Sequence, residues 1–185
     1  MTIQKKVIEK IIGVEGDYVN DPDDSGMETR YGITVRVARA HGYTGLMSQL
    51  PYKMAYAIIK VDYWDKMRLD DIEHLSKLVA EEIADTAVNT GTRQAGEFLQ
   101  TALNCFNNRQ KYYNDLKVDG LIGIRTLHAL KTYLMVRKSD QGERVLHTLL
   151  NCLQGAFYAK LTINREKDEK FIYGWIKNRV GIYDV

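Results

Sequence analysis

Proline and cysteine are scarce: the 185 residues hold two of each. With only Pro22 and Pro51 to interrupt it, the backbone can run in helices over most of its length. Cys105 and Cys152 stand far apart, each among apolar residues. That spacing makes neither a metal site nor a disulfide framework, so both read as buried thiols. No stretch approaches the roughly 18 apolar residues of a transmembrane helix. Near the N-terminus Lys5, Lys6, Glu9 and Lys10 interrupt what a secretory h-region would keep continuous. The expectation is cytoplasmic synthesis without a signal peptide. Strong charge of one sign is also lacking, and a net charge of +2 gives no argument for nucleic acid.

What is present is ordinary for a globular chain: 45% apolar and 27% charged residues. This composition excludes a disordered chain, a collagen-like fibre and a coiled-coil rod. The length suits one domain, or one with a small appendage, and buries roughly 70% of the unfolded surface without a disulfide or metal. Charge is unevenly placed. Residues 1–108 hold 12 Lys/Arg against 16 Asp/Glu, and residues 109–185 hold 14 against 8. The basic C-terminal part either meets an anionic polymer or is a solvated surface.

Apolar periodicity predicts a mainly α chain. Ile3, Val7, Ile8, Ile11 and Ile12 mark a first helix that stops near Gly16. Residues 17–33 read as a long polar loop, of a length that is usually functional, with strand pairs possible over 17–50. A short helix is expected over 34–41, and another from the Ser48–Pro51 start pattern to about Lys66. One helix carries Leu75 to Val88, and the next is capped by Thr92 and shows Ala95, Phe98, Leu99, Ala102 and Leu103. Residues 108–118 are polar and irregular, a candidate boundary between parts 1–107 and 108–185. Asp140 with Glu143 resembles a capping box opening a long helix through Leu161, and Phe171, Ile172, Trp175 and Ile176 mark the last helix.

Several residues could carry chemistry. Glu15 closes an apolar-faced helix, where the helix dipole and desolvation would favour its protonated form. That environment makes a carboxylic acid a proton donor near neutral pH; the bland alternative is a solvated Glu at a frayed end. The loop adds Asp21, Asp23, Asp24, Glu28, Thr29 and Tyr31. A glycosidic bond is cleaved by a carboxylic acid, usually with a second carboxylate across it. The same acids lack the spacing of a calcium loop, and a plain acidic turn is the other reading. His41, His74, His128 and His147 share no ligand spacing, and no metal or other cofactor is expected.

The stretch from Val14 to Thr34, with Glu15-Gly16-Asp17-Tyr18-Val19-Asn20-Asp21-Pro22 and Tyr31-Gly32-Ile33-Thr34, resembles the signature of glycoside hydrolase family 108. Asp17 and Met27 replace glycines of that pattern. Tyr63-Trp64-Asp65 with Arg68, Asp85-Thr-Ala-Val-Asn89-Thr-Gly91 and Leu99-Gln-Thr-Ala-Leu103 are similar to later elements of the family. Val118-Asp119-Gly120-Leu-Ile-Gly123-Ile-Arg-Thr126-Leu127 resembles a small helical peptidoglycan-binding module, and Gly174-Trp175-Ile-Lys-Asn178-Arg179-Val180 the family's closing element.

The resemblance implies a lysozyme-like phage or prophage N-acetylmuramidase; members of the family are also described as secretion activators. It places the general acid on Glu15. The second group would be Asp24, by the Glu-x8-Asp spacing of phage-type lysozymes, with Thr29 positioning water although one residue short of their spacing. Tyr18, Asn20, Tyr31, Trp64, Asp85 and Asn89 would bind substrate, and Asp119, Gly120, Gly123 and Thr126 would belong to the wall-binding module. Trp64 is either core or a sugar platform, Asn89 either a helix-end residue or a saccharide ligand. Gly120 and Gly123 equally suit a tight turn whose backbone Asp119 bonds. The expected partner is the peptidoglycan glycan strand, acted on by a monomer after holin-mediated or other release, without nucleic acid or membrane. Two rival readings are a wall-binding protein with weakened catalysis and a secretion accessory.

Overall fold

A computed structural model describes residues 2–14, 19–20 and 28–180. Glu15, Tyr18 and Asp24, together with Asp17 and Met27, lie outside the described residues. The chain is mainly α, as its periodicity predicts, and it divides into two compact units at residues 66 and 67. No described helix is long and apolar enough to cross a membrane.

In the first unit, α1 (Ile3–Val14) lays Ile8 and Ile12 into a core with Ile33, Met47, Leu50, Ile58 and Ile59. Three short strands follow: β1 (Val19–Asn20), β2 (Glu28–Arg30) and β3 (Ile33–Thr34), in the antiparallel order β1-β2-β3. The 17–33 stretch is therefore not wholly loop. Its hairpin is closed by Tyr31 (φ 56°) and Gly32 (φ 72°), both left-handed, as a two-residue I′ turn requires. A tyrosine in the first turn position hides that signal, because asparagine or aspartate is the usual mark.

The helix α2 (Val35–Ala40) is capped by Thr34, whose Oγ1 accepts from Val37 N–H at 3.3 Å. Ser48 starts no helix. It lies in a 3-10 turn, Met47–Gln49, and α3 (Tyr52–Ile59) begins behind Pro51. From Lys60 to Asp65 the helix widens to a π turn. The Lys60–Asp65 ion pair at 2.6 Å joins residues five apart, the spacing that a π turn aligns.

The second unit stacks α4 (Leu69–Leu75), α5 (Lys77–Thr90), α6 (Thr92–Cys105), α7 (Ile124–Val136), α8 (Ser139–Asn164) and α9 (Glu169–Arg179). The single helix expected across Leu75–Val88 is broken at Ser76, whose Oγ caps α5 by accepting Val79 N–H at 3.1 Å. Gly91, not Thr92, is the N-cap of α6, because its φ of 89° turns the chain between the two helices. The Asp140–Glu143 box does not form either: α8 starts at Ser139, behind Lys138 in left-handed conformation. The helix α9 has no buried residue of its own between Glu169 and Arg179. It is held by a run of rings, Phe98–Phe157–Tyr158–Trp175–Phe171, with neighbouring centroids 5.2 to 6.0 Å apart.

Both cysteines are exposed, against the expectation of burial. The buried face of α6 runs through Ala95, Leu99, Ala102 and Leu103, and Cys105 lies half a turn away from Leu103. The buried line of α8 runs through Leu146, Leu150, Gln154 and Tyr158, which leaves Cys152 on the opposite side. Apolar neighbours in sequence are not neighbours on a helix face.

Candidate functional site

Of the N-terminal candidate residues, Asn20, Thr29 and Tyr31 are described, and they lie on the small sheet or its hairpin turn. Thr29 sits at the centre of β2, opposite Val19 on one side and Thr34 on the other. Asn20 pairs in register with Glu28, which brings a half-buried carboxylate beside the predicted site. Glu15 follows directly on Val14, the last residue of α1.

Tyr31 is held at the hairpin turn by its neighbours. Its ring meets Tyr52 edge-on at 6.0 Å, and Tyr52 in turn meets Tyr56 at 6.4 Å. The Arg30 guanidinium lies 4.9 Å over the Tyr31 ring and donates to the Ser48 carbonyl. Tyr52 and Tyr56 escaped the sequence reading, although their four-residue spacing on α3 puts them on one face. Trp64 is 1% exposed, deep in the π turn, a core position.

On α5, Asn89 donates its side-chain amide to the Asp85 carbonyl (2.8 Å) and to Asp85 Oδ2 (3.0 Å). The pair lies one turn apart near the end of the helix, and each orients the other.

The 118–127 motif is organised by a residue that it does not contain. Gln100 on α6 is 2% exposed. Its Oε1 accepts from Asp119 N–H (3.0 Å) and Gly120 N–H (2.8 Å). Its Nε2 donates to Asp119 Oδ1 (3.1 Å), the Leu121 carbonyl (3.0 Å) and Thr126 Oγ1 (3.5 Å). Asp119 Oδ1 also accepts Leu121 N–H at 3.0 Å, a turn closed by its own side chain. These bonds, the Leu121 N–H first and the Gln100 amide next, hold the Asp119 carboxyl below its ordinary pKa.

Gly120 adopts φ 77°, and a Cβ there would meet the Arg93 carbonyl oxygen at 2.5 Å. A Cβ on Gly96 would lie 2.2 Å from the Gly120 oxygen. Two glycines thus let the turn lie directly on α6.

The rest of the loop is pinned in the same way. Asn104 donates to the Leu116 carbonyl and accepts from Leu116 N–H, each at 2.8 Å. Asn107, fully buried, donates to the Tyr113 carbonyl (2.6 Å) and Asp115 Oδ1 (2.7 Å) and accepts from Tyr112 and Tyr113 N–H. Tyr113 O–H donates to the Leu103 carbonyl at 2.6 Å, and burial pushes its pKa up to about 12. Gln100, Asn104 and Asn107 are spaced by four and then three residues, the first two on one face of α6 and the third just past its end, an amide stripe that continues the face beyond the helix. That spacing was the signal available in sequence. Between the clamps, Asn108, Arg109 and Gln110 are all left-handed (φ 48°, 58° and 61°). Such a run costs roughly 1–2 kcal/mol per residue and persists only where surrounding bonds enforce it.

This loop and the start of α7 line an open cleft of about 940 Å³. The motif residues Asp119, Gly123 and Thr126 reach it, but Asp119 and Thr126 are engaged with Gln100 behind it. Exposed groups of its lining include Lys111, Asp115, Lys117, Leu121, Ile124 and Arg125, with half-buried Tyr112 beside them. No group of His, Cys, Asp and Glu among the described residues could hold a metal ion.

Elsewhere in the second unit a polar cluster is enclosed between helices. His147 Nε2 pairs with Glu82 Oε2 at 3.1 Å, and Thr86 donates to Glu82 Oε1 at 3.2 Å while accepting from Gln154 at 3.3 Å. The hydrogen bond to Glu82 raises the His147 pKa, against a smaller opposing effect of burial.

Residues 8–91 match the family described as glycosyl hydrolase 108, and residues 94–180 the one described as a predicted peptidoglycan domain. Among solved structures, that of Brucella abortus SagA is similar, with a TM-score of 0.62 at 24% identity over 96% of this chain and 88% of that one. That likeness concerns the fold. No curated protein matches the chain. Residues 8–91 are thus similar to glycosyl hydrolase 108 and residues 94–180 to a predicted peptidoglycan domain, a pairing that supports a glycoside hydrolase acting on peptidoglycan.

Proposed function

We propose that the chain is an N-acetylmuramidase that hydrolyses the β-1,4 bond between N-acetylmuramic acid and N-acetylglucosamine. The observation that carries this reading is the glycosyl hydrolase 108 match, which spans the whole Val14–Thr34 element. Glu15 protonates the leaving oxygen. Asp24 faces the oxocarbenium-like transition state, and Thr29, central in the sheet, positions water. Asn20 and Tyr31 bind sugar from the sheet, and the exposed ring of Tyr52, beside half-buried Tyr31 and Tyr56, extends that platform. Asp85 and Asn89 act as a mutually oriented polar pair for saccharide hydroxyls. In this reading the protein is a phage or prophage endolysin that meets the wall after holin-mediated or other release, and the C-terminal part keeps it on the wall.

The test is release of reducing ends from purified peptidoglycan, with mass spectrometry of the new end. Muramic acid at the reducing end is expected. Glu15→Gln keeps size and removes the transferable proton, so activity should fall on the order of 10²–10⁴-fold in a folded protein. Full activity in that variant, or glucosamine at the new end, overturns the assignment.

A further inference from the structure

The cleft beside α7 has a chemical character of its own. Lys111 and Arg125 are both exposed at it, and among the described residues neither has a carboxylate within ion-pair distance. The two acids in its lining are committed elsewhere: Asp115 to Asn107, and Asp119 to Gln100, Leu121 N–H and Lys117. The first turn of α7 opens on the cleft without a side-chain cap, which adds partial positive charge to that of the two cations. Beside them stand Leu121, 67% exposed, and Ile124, 78% exposed. The Tyr112 ring is flanked by Lys111 at 5.8 Å and Arg137 at 6.0 Å. A saccharide is usually met by an open aromatic face with carboxylates and amides around it. Here the ring is crowded by cations, the acids are engaged, and aliphatic surface is exposed.

We propose that this cleft binds the stem peptide of peptidoglycan through its carboxylates, which pair with Lys111 and Arg125 while its alanyl methyls cover Leu121 and Ile124. Glycan strands stripped of peptide keep one lactyl carboxylate on each muramic acid, but they lack the paired glutamyl and C-terminal carboxylates and the alanyl methyls between them. The inference rests on the reading of the chain as a peptidoglycan hydrolase, and it assigns the recognition of peptide to a cleft of the second unit. Asp119, Gly120 and Thr126 of the 118–127 motif then shape the cleft from behind through Gln100, while Leu121, Ile124 and Arg125 between them, with Lys111 from the preceding loop, contact the ligand.

The experiment is a titration of the full chain with the synthetic peptide L-Ala-γ-D-Glu-L-Lys-D-Ala-D-Ala, its glutamyl and C-terminal carboxylates free, followed by amide NMR. Saturable shifts are expected at residues 111–125, weakening as salt rises. The double variant K111Q/R125Q, altered only at exposed positions, should lose about tenfold or more in affinity, as should the peptide with both carboxylates amidated. Lys131→Gln, an exposed cation outside the cleft, should bind as the unaltered chain does. No saturable shift, equal binding of the amidated peptide, or the same shifts from peptide-free glycan would each overturn the proposal. These peptides contain no glycosidic bond. A chain that fails to cleave murein but binds them refutes the muramidase reading alone, and one that cleaves murein without binding them refutes this inference alone.

Discussion

Gln100 is one side chain with both polar ends bonded to a turn, and its loss has a calculable cost. Gln100→Ala strands the buried Gly120 N–H, while Asp119 N–H keeps the Lys117 carbonyl as a partner. A buried unsatisfied group costs about 1–3 kcal/mol, so destabilisation of that order is expected in denaturant unfolding. Gly96→Ala should cost a similar amount for a different reason, since its methyl group must displace the Gly120 carbonyl, which is backbone and cannot rotate away. If either variant unfolds at the same denaturant midpoint as the unaltered chain, the loop is not anchored by these contacts. The turn of the 118–127 motif, with Asp119 bonding its backbone, was legible in sequence, but its anchor was not. Asp119 and Gly120 stand out in a string of letters, whereas the amide that holds them is 20 positions upstream and becomes their neighbour only when α6 forms.

Among elements, the periodic helices were easiest to read because burial repeats every three or four residues in α1, α5, α6 and α8. Elements built by short-range geometry were harder. The small sheet depends on left-handed Tyr31 and Gly32, and the π turn widens the helix over the six residues Lys60–Asp65; neither leaves a periodic trace. The polar cluster of α5 and α8 was illegible too, since Glu82 and His147 meet only after two helices pack. That meeting sets a pH dependence. The folded His147 pKa is raised, so its contribution to stability is present below the unfolded value near 6.5 and is lost as pH rises through the folded value. His147→Gln should therefore lower the melting temperature more at pH 5.5 than at pH 8.5. Asp119 titrates in the opposite sense: its depressed pKa stabilises the fold above the ordinary carboxylate value and ceases to do so in stronger acid. Equal losses from His147→Gln at both pH values would remove the Glu82–His147 pair from this account.

For the whole molecule, acidic and basic residues are separated along the chain, with a balance of −4 in residues 1–108 and +6 in residues 109–185. Adhesion to whole sacculi through the basic part should weaken as salt rises. The described candidate residues fall on both compact units, Thr29 and Tyr31 on the first and Asp85, Asn89 and the cleft on the second. The amide stripe of α6 has one more consequence, concerning time rather than geometry. Segments without helix or strand ordinarily exchange their amide protons with solvent deuterium within seconds to minutes, through local opening. In the stretch between α6 and α7, the N–H groups of Tyr113, Leu116 and Gly120 are instead tied to side chains of the helix or its end. Their protons should persist nearly as long as those in the middle of α6, while those of the exposed Arg109 and Gln110 beside them vanish early. A loop with the exchange lifetime of a core would then resist proteases that cut comparable loops in other proteins.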